Sequence, residues 1–126
     1  MNENYGPILV VDDEPEMCWI LENIIRKTGL ACRMALSARE AMALTKNNKF
    51  GMAFLDAKLP DIDGLELARK LHNANSGLPI VIVSGYFYQD DSTIEDVLRK
   101  ELIAAFVGMP FDHDEIVSVI TRYASR

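Results

Sequence analysis

The sequence predicts a doubly wound α/β domain, a parallel sheet of five strands with helices on both faces. Three observations predict it. Short apolar runs alternate with helical patterns five times along the 126 residues, which implies parallel strands joined by right-handed helical crossovers. The runs Ile8-Leu9-Val10-Val11 and Ile80-Val81-Ile82-Val83 show no polar alternation, as expected of strands buried on both faces. Two of the runs end abruptly in acids: Val11 meets Asp12-Asp13, and Leu55 meets Asp56.

Each element has its own signal. Residues 8–11 form the first strand. Pro15 then stands at a good first helical position, and Met17, Ile20, Leu21, Ile24 and Ile25 recur at helical spacing. Thr28-Gly29 closes that helix, with a glycine suited to a left-handed cap. Residues 31–36 make a weaker second strand. Ser37 with Glu40 is a capping box for a second helix over 38–47. Residues 50–55 are the third strand. Leu65, Ala68 and Leu71 give the helix after Gly64 its inward stripe, and it ends near Asn75-Ser76-Gly77. Pro79 to Val83 is the fourth strand, closing on Ser84-Gly85. Tyr86 to Asp91 reads as loop, and Ser92 with Glu95 caps a fourth helix running to about Lys100. Residues 104–108 are the fifth strand. After Met109-Pro110-Phe111, Asp112 with Glu115 caps a last helix containing Ile116, Val119, Ile120 and Tyr123.

Composition narrows the function classes. The length suits one domain over 1–126 with a single core. The net charge is −6, with no basic stretch, which argues against direct nucleic-acid binding because phosphate neutralisation needs clustered Lys and Arg. No run is long and apolar enough to span a membrane. Met1-Asn2-Glu3-Asn4 lacks the start of a secretion signal. Cys18 and Cys32 sit within apolar patterns, so they are expected to be small buried hydrophobes in a reducing cytoplasm.

In a parallel sheet the C-terminal strand ends lie along one edge, where ligands bind. Here that edge carries Asp12-Asp13, Ala35-Leu36, Asp56, Ser84 and Met109. An aspartate or a Ser-Gly pair alone is ordinary turn chemistry. Three clustered carboxylates are different, because their repulsion raises a pKa unless a cation relieves it. Mg²⁺ suits such a site: it takes one or two carboxylates, waters and phosphate oxygens. A carboxylate beside it can act as a nucleophile and form an acyl phosphate. Ser84 stands where its hydroxyl can donate to the phosphoryl oxygens.

This constellation resembles the receiver domain of two-component response regulators. The resemblance runs from Ile8 to Tyr123. It rests on the Asp12-Asp13 pair, Asp-x-x-x-Pro-x-x-x-Gly from Asp56 to Gly64, Ser84-Gly85, and Pro110-Phe111 after the fifth strand. It implies a flavodoxin-like sheet in the order 2-1-3-4-5 with five helices. It further implies that Asp56 accepts a phosphoryl group from a sensor histidine kinase or phosphotransfer protein. Asp12 and Asp13 would hold Mg²⁺ with Asp56 and the backbone carbonyl of Lys58. Ser84 would grip the phosphoryl group and Phe106 would turn inward on activation. The fourth helix, fifth strand and fifth helix would form the output face towards an effector, with dimerisation through that face left open. Such a domain is a cytoplasmic switch rather than an enzyme, although it assists its own phosphorylation and dephosphorylation.

One position departs from the family. A lysine is expected directly before the proline after the fifth strand, and Met109 stands there. Methionine offers no charge to a phosphoryl oxygen. The alternative is therefore a degenerate receiver that binds a partner without phosphorylation. Two enzyme-like or cofactor-binding readings are weaker. A haloacid dehalogenase-type hydrolase needs a second Asp two residues after the first, where Lys58 stands. A nucleotide or flavin domain wants a phosphate loop after the first strand, where Asp12-Asp13-Glu14-Pro15 stands. Tyr86-Phe87-Tyr88 is either a cover for the phosphoryl site, loop packing or a partner surface. The sequence is expected to be either a stand-alone receiver or a piece of a larger regulator.

Overall fold

The computed structural model describes residues 6–85, 96–98 and 100–124. Five parallel strands form one sheet: β1 (Ile8–Val11), β2 (Cys32–Ala35), β3 (Met52–Leu55), β4 (Ile80–Ser84) and β5 (Ala105–Gly108). Their order is β2-β1-β3-β4-β5, as the resemblance implied. The helices are α1 (Pro15–Lys27), α2 (Ala38–Asn47), α3 (Gly64–Ala74), α4, of which residues 96–98 are described, and α5 (His113–Ala124). The Ser92–Glu95 cap and Tyr86-Phe87-Tyr88 lie outside the described residues, as does Asp91.

Side chains alternate across a strand, so each central strand feeds two cores. Ile8 and Val10, Met52 and Phe54, and Val81 and Val83 pack with Cys18, Leu21 and Ile25 of α1 and Ile116 and Ile120 of α5. Leu9 and Val11, Ala53 and Leu55, and Ile80 and Ile82 pack with Ala38 and Ala41 of α2 and Leu67, Ala68 and Leu71 of α3. This two-sided burial is why the strands lack polar alternation. β2 lies at the sheet edge, where Arg33 and Met34 are exposed.

The differences from expectation have local causes. β2 stops at Ala35 because the Leu36 amide donates to Glu40 Oε1 at 2.6 Å and leaves the ladder. That same contact shifts the capping box. Ser37 Oγ does accept from the Glu40 amide at 3.1 Å, but the Glu40 carboxylate reaches back to Leu36. β3 begins at Met52, two residues later than expected. β4 begins one residue later and takes in Ser84, which pairs with Gly108. β5 likewise begins at Ala105, one residue late. On α1, Ile20 is exposed and Cys18 takes the inward place beside Leu21. Gly29 has φ +90°, the left-handed cap its position predicted. Asp63 caps α3, its side chain accepting from the Leu65 amide at 2.8 Å. The Asp112 amide donates to Glu115 Oε1 at 3.4 Å, one half of the expected box at α5.

Candidate phosphoacceptor site

Strand register puts the acids side by side. Val11 is level with Leu55, so Asp12 and Asp56 leave adjacent strands at the same height. Two bonds continue the ladder outward: the Asp56 amide donates to the Val11 carbonyl at 2.9 Å, and the Asp12 amide to the Ala35 carbonyl at 3.1 Å. On the other side Leu55 is level with Ile82, which carries Ser84 to the edge beside Asp56. Carboxylate oxygens of Asp12, Asp13 and Asp56 lie within 4.8 Å of one another. They line a cavity of about 370 Å³ with Glu14, Lys58, Val83, Ser84, Gly85 and Met109.

The three acids differ in setting. Asp12 is 7% exposed, Asp56 is half-buried and Asp13 is exposed. Asp12 Oδ1 accepts from the Glu14 amide at 2.9 Å, which ties the carboxylate to the start of α1. Burial pushes the Asp12 carboxyl up to about 6, against the pull of the Glu14 amide and with help from the charge on Asp56. Burial also raises Asp56, opposed by hydrogen bonds from the Lys58 amide and the Ser84 hydroxyl. Ser84 is 4% exposed, and its hydroxyl donates to the Asp56 carboxylate. The three clustered carboxylates are a fitting set for a hard divalent cation, which would offset the burial and repulsion that raise Asp12 and Asp56.

The loop after Asp56 is built to return close to it. The Gly64 amide donates to the Ala57 carbonyl at 2.8 Å, and Lys58 bridges Asp63. A Cβ on Gly64 would lie 2.1 Å from the Asp56 carbonyl oxygen and 2.8 Å from Ala57 Cα. Both are backbone atoms, so only glycine fits. This explains the Gly that follows Asp56 at a distance of eight residues.

Met109 stands in the cavity wall where the resemblance expects a lysine. Its amide donates to the Ser84 carbonyl at 3.1 Å, and it packs against the core beneath α1 and α5. Among the described lining residues Lys58 carries the sole positive charge. Phe106 lies apart from the cavity, half-buried against the core on the α2–α3 side. Its ring runs towards Gly108, 3.8 Å from where a Cβ would sit. Cys18 and Cys32 are free and buried, and burial pushes their thiols up to about 11 and about 12. The Cys18 thiol donates to the Asp12 carbonyl at 3.4 Å, a contact with no sequence signal.

The family model for the response regulator receiver domain matches residues 8–121. The chain belongs to this family. The receiver domain is 28% identical over 119 residues to the DNA-binding transcriptional regulator NtrC of Proteus hauseri, covering 93% of this chain and 24% of that protein. It thus spans about a quarter of the length of the curated relatives it matches. Among solved structures, a CheY-like receiver domain protein from Methanospirillum hungatei JF-1 superposes with a TM-score of 0.86 at 26% identity, over 97% of this chain and 95% of that one. The receiver domain of NtrX from Brucella abortus gives a TM-score of 0.82 at 28% identity, over 94% of this chain and 98% of that one. No described helix is long and apolar enough to cross a membrane.

Proposed function

We propose that this receiver domain is a phosphorylation switch whose acceptor is Asp56. The donor is a phosphohistidine on a sensor histidine kinase or phosphotransfer protein, and Mg²⁺ is the cofactor. The observation that carries the reading is the convergence of Asp12, Asp13 and Asp56 with the Ser84 hydroxyl in one cavity at the C-terminal edge of the sheet.

In this reading an Asp56 carboxylate oxygen attacks phosphorus. The new O–P bond forms as the N–P bond to imidazole breaks, and the imidazole nitrogen takes up a proton. Asp12, Asp13, Asp56 and the Lys58 carbonyl would hold Mg²⁺, which would neutralise charge on the phosphoryl oxygens. Ser84 transfers its hydrogen bond from the carboxylate to a phosphoryl oxygen. A phosphoryl group adds close to two negative charges. If one packing of Ser84 and Phe106 contacts it better than another, the populations shift towards that packing. The face made by α4, β5 and α5 then presents a changed surface to an effector. The names of the curated relatives support an effector that acts in transcription, with DNA contacted outside this acidic domain. The domain works in the cytoplasm as a switch and not as a turnover enzyme.

Met109 favours a second reading, a binding module that works without phosphorylation. Intact mass after incubation with Mg²⁺ and acetyl phosphate separates the two. Addition of one phosphoryl group to wild type but not to Asp56→Asn is the expected result. An unchanged wild-type mass, also with kinase donors, overturns the switch and leaves the binding module.

A further inference from the structure

Asp61 lies at the outer end of the loop between β3 and α3, and its carboxylate crosses to another element. Oδ1 accepts from the Ala38 amide at 3.0 Å and Oδ2 from the Arg39 amide at 2.9 Å. These are the first two residues of α2, whose amides have no partner within the helix. Ser37 already supplies the local cap, accepting from the amide of Glu40. A helix start can be capped by its neighbours in sequence. Here two of its amides are given to a residue more than twenty positions away. The two hydrogen bonds hold the Asp61 carboxyl below the usual carboxylate range, so it is ionised wherever the domain is folded near neutral pH. Its charge also faces the positive end of the α2 dipole.

The loop is therefore fixed at two points. Its neck is closed by the Gly64-to-Ala57 bond and the Lys58–Asp63 bridge. Its tip is tied to α2 through Asp61. Lys58 belongs to the neck, and its amide donates to Asp56 Oδ1 at 3.4 Å. We propose that Asp61 is a positioning residue for the phosphoacceptor site, tethering the β3–α3 loop to the start of α2 so that Lys58 is held against Asp56 and the metal. This rests on the proposed function, because it assigns Lys58 a place in the Mg²⁺ site.

The test compares Mg²⁺ binding, by calorimetry, in wild type, Asp61→Ala, Asp61→Asn and Ser37→Ala. Ser37→Ala removes a cap from the same helix without touching the loop. Asp61→Ala is expected to weaken Mg²⁺ binding about tenfold, the lower end of what loss of a supporting contact costs a metal site. Asp61→Asn keeps one acceptor oxygen and falls between, while Ser37→Ala binds as wild type does. Hydrogen exchange of the Lys58 and Ile62 amides in metal-free protein should rise in Asp61→Ala and not in Ser37→Ala. Equal binding by wild type and Asp61→Ala overturns the tether, as does equal weakening by Ser37→Ala. A wild type that binds no Mg²⁺ overturns the functional reading and the tether with it.

Discussion

Lowering the pH of the metal-free domain from about 7 to about 5 should stabilise it, against the usual behaviour of a domain whose carboxylates are paired. The reason lies in Asp12, whose carboxyl burial raises from 3.8 to about 6. The folded state binds this proton more tightly than the unfolded chain does. The stabilisation is complete below 3.8 and is lost as pH rises through about 6. Over the window from about pH 5 to about pH 7 the linkage relation assigns Asp12 a loss of about 1 kcal/mol. Asp56 is raised for the same reason and adds to the loss. In the proposed function Mg²⁺ would bind the ionised form, so it should restore the lost stability at the higher pH, by about 1.4 kcal/mol for each tenfold excess over its dissociation constant. The assay is urea unfolding across this pH range, with and without Mg²⁺, in wild type and Asp12→Asn. Asp12→Asn should lose most of the slope and most of the Mg²⁺ response. A wild-type slope that Asp12→Asn fully retains would refute the argument, since the destabilising charge would then lie elsewhere.

Further outcomes follow from particular contacts. Gly64→Ala should cost about 1–3 kcal/mol, the range for forcing an atom into a packed site, because its Cβ meets the backbone of Asp56 and Ala57. It should also slow acetyl phosphate transfer, which intact-mass time courses read. Met109→Lys puts a cation in the wall of an acidic cavity, so it should flatten the pH slope above. It should also raise the phosphorylation rate by about a hundredfold, the lower end of what one preorganised donor to a developing charge contributes. Phe54→Ala empties a site on β3 that is 1% exposed. Urea unfolding should show a loss of about 3–5 kcal/mol, with the Mg²⁺ response retained in whatever fraction stays folded.

The site was legible because strand ends are local events. An apolar run that stops at Asp12 or Asp56 marks both a strand terminus and its first exposed polar group. Parallel pairing then brings those termini to one edge. Ser84 and Met109 followed by the same logic. What strand-end reading could not supply was the difference between the acids. Asp12 is buried and Asp13 exposed although they are neighbours in sequence, because successive residues point to opposite sides of the chain. Ile20 illustrates the same limit on a helix. It matched the apolar spacing, yet Cys18 takes the inward position on α1.

By itself the sequence determined the order of elements, their near-correct bounds, and which polar residues stand at the C-terminal edge of the sheet. These depend on patterns within ten or so residues, where burial period, caps and turn chemistry act. Tertiary structure alone decided that the β3–α3 loop reaches α2, that Glu40 diverts to Leu36, and that Cys18 touches the Asp12 backbone. Such contacts join residues far apart in the chain or choose among equivalent local partners. Their geometry exists only after the sheet has set where each loop lies.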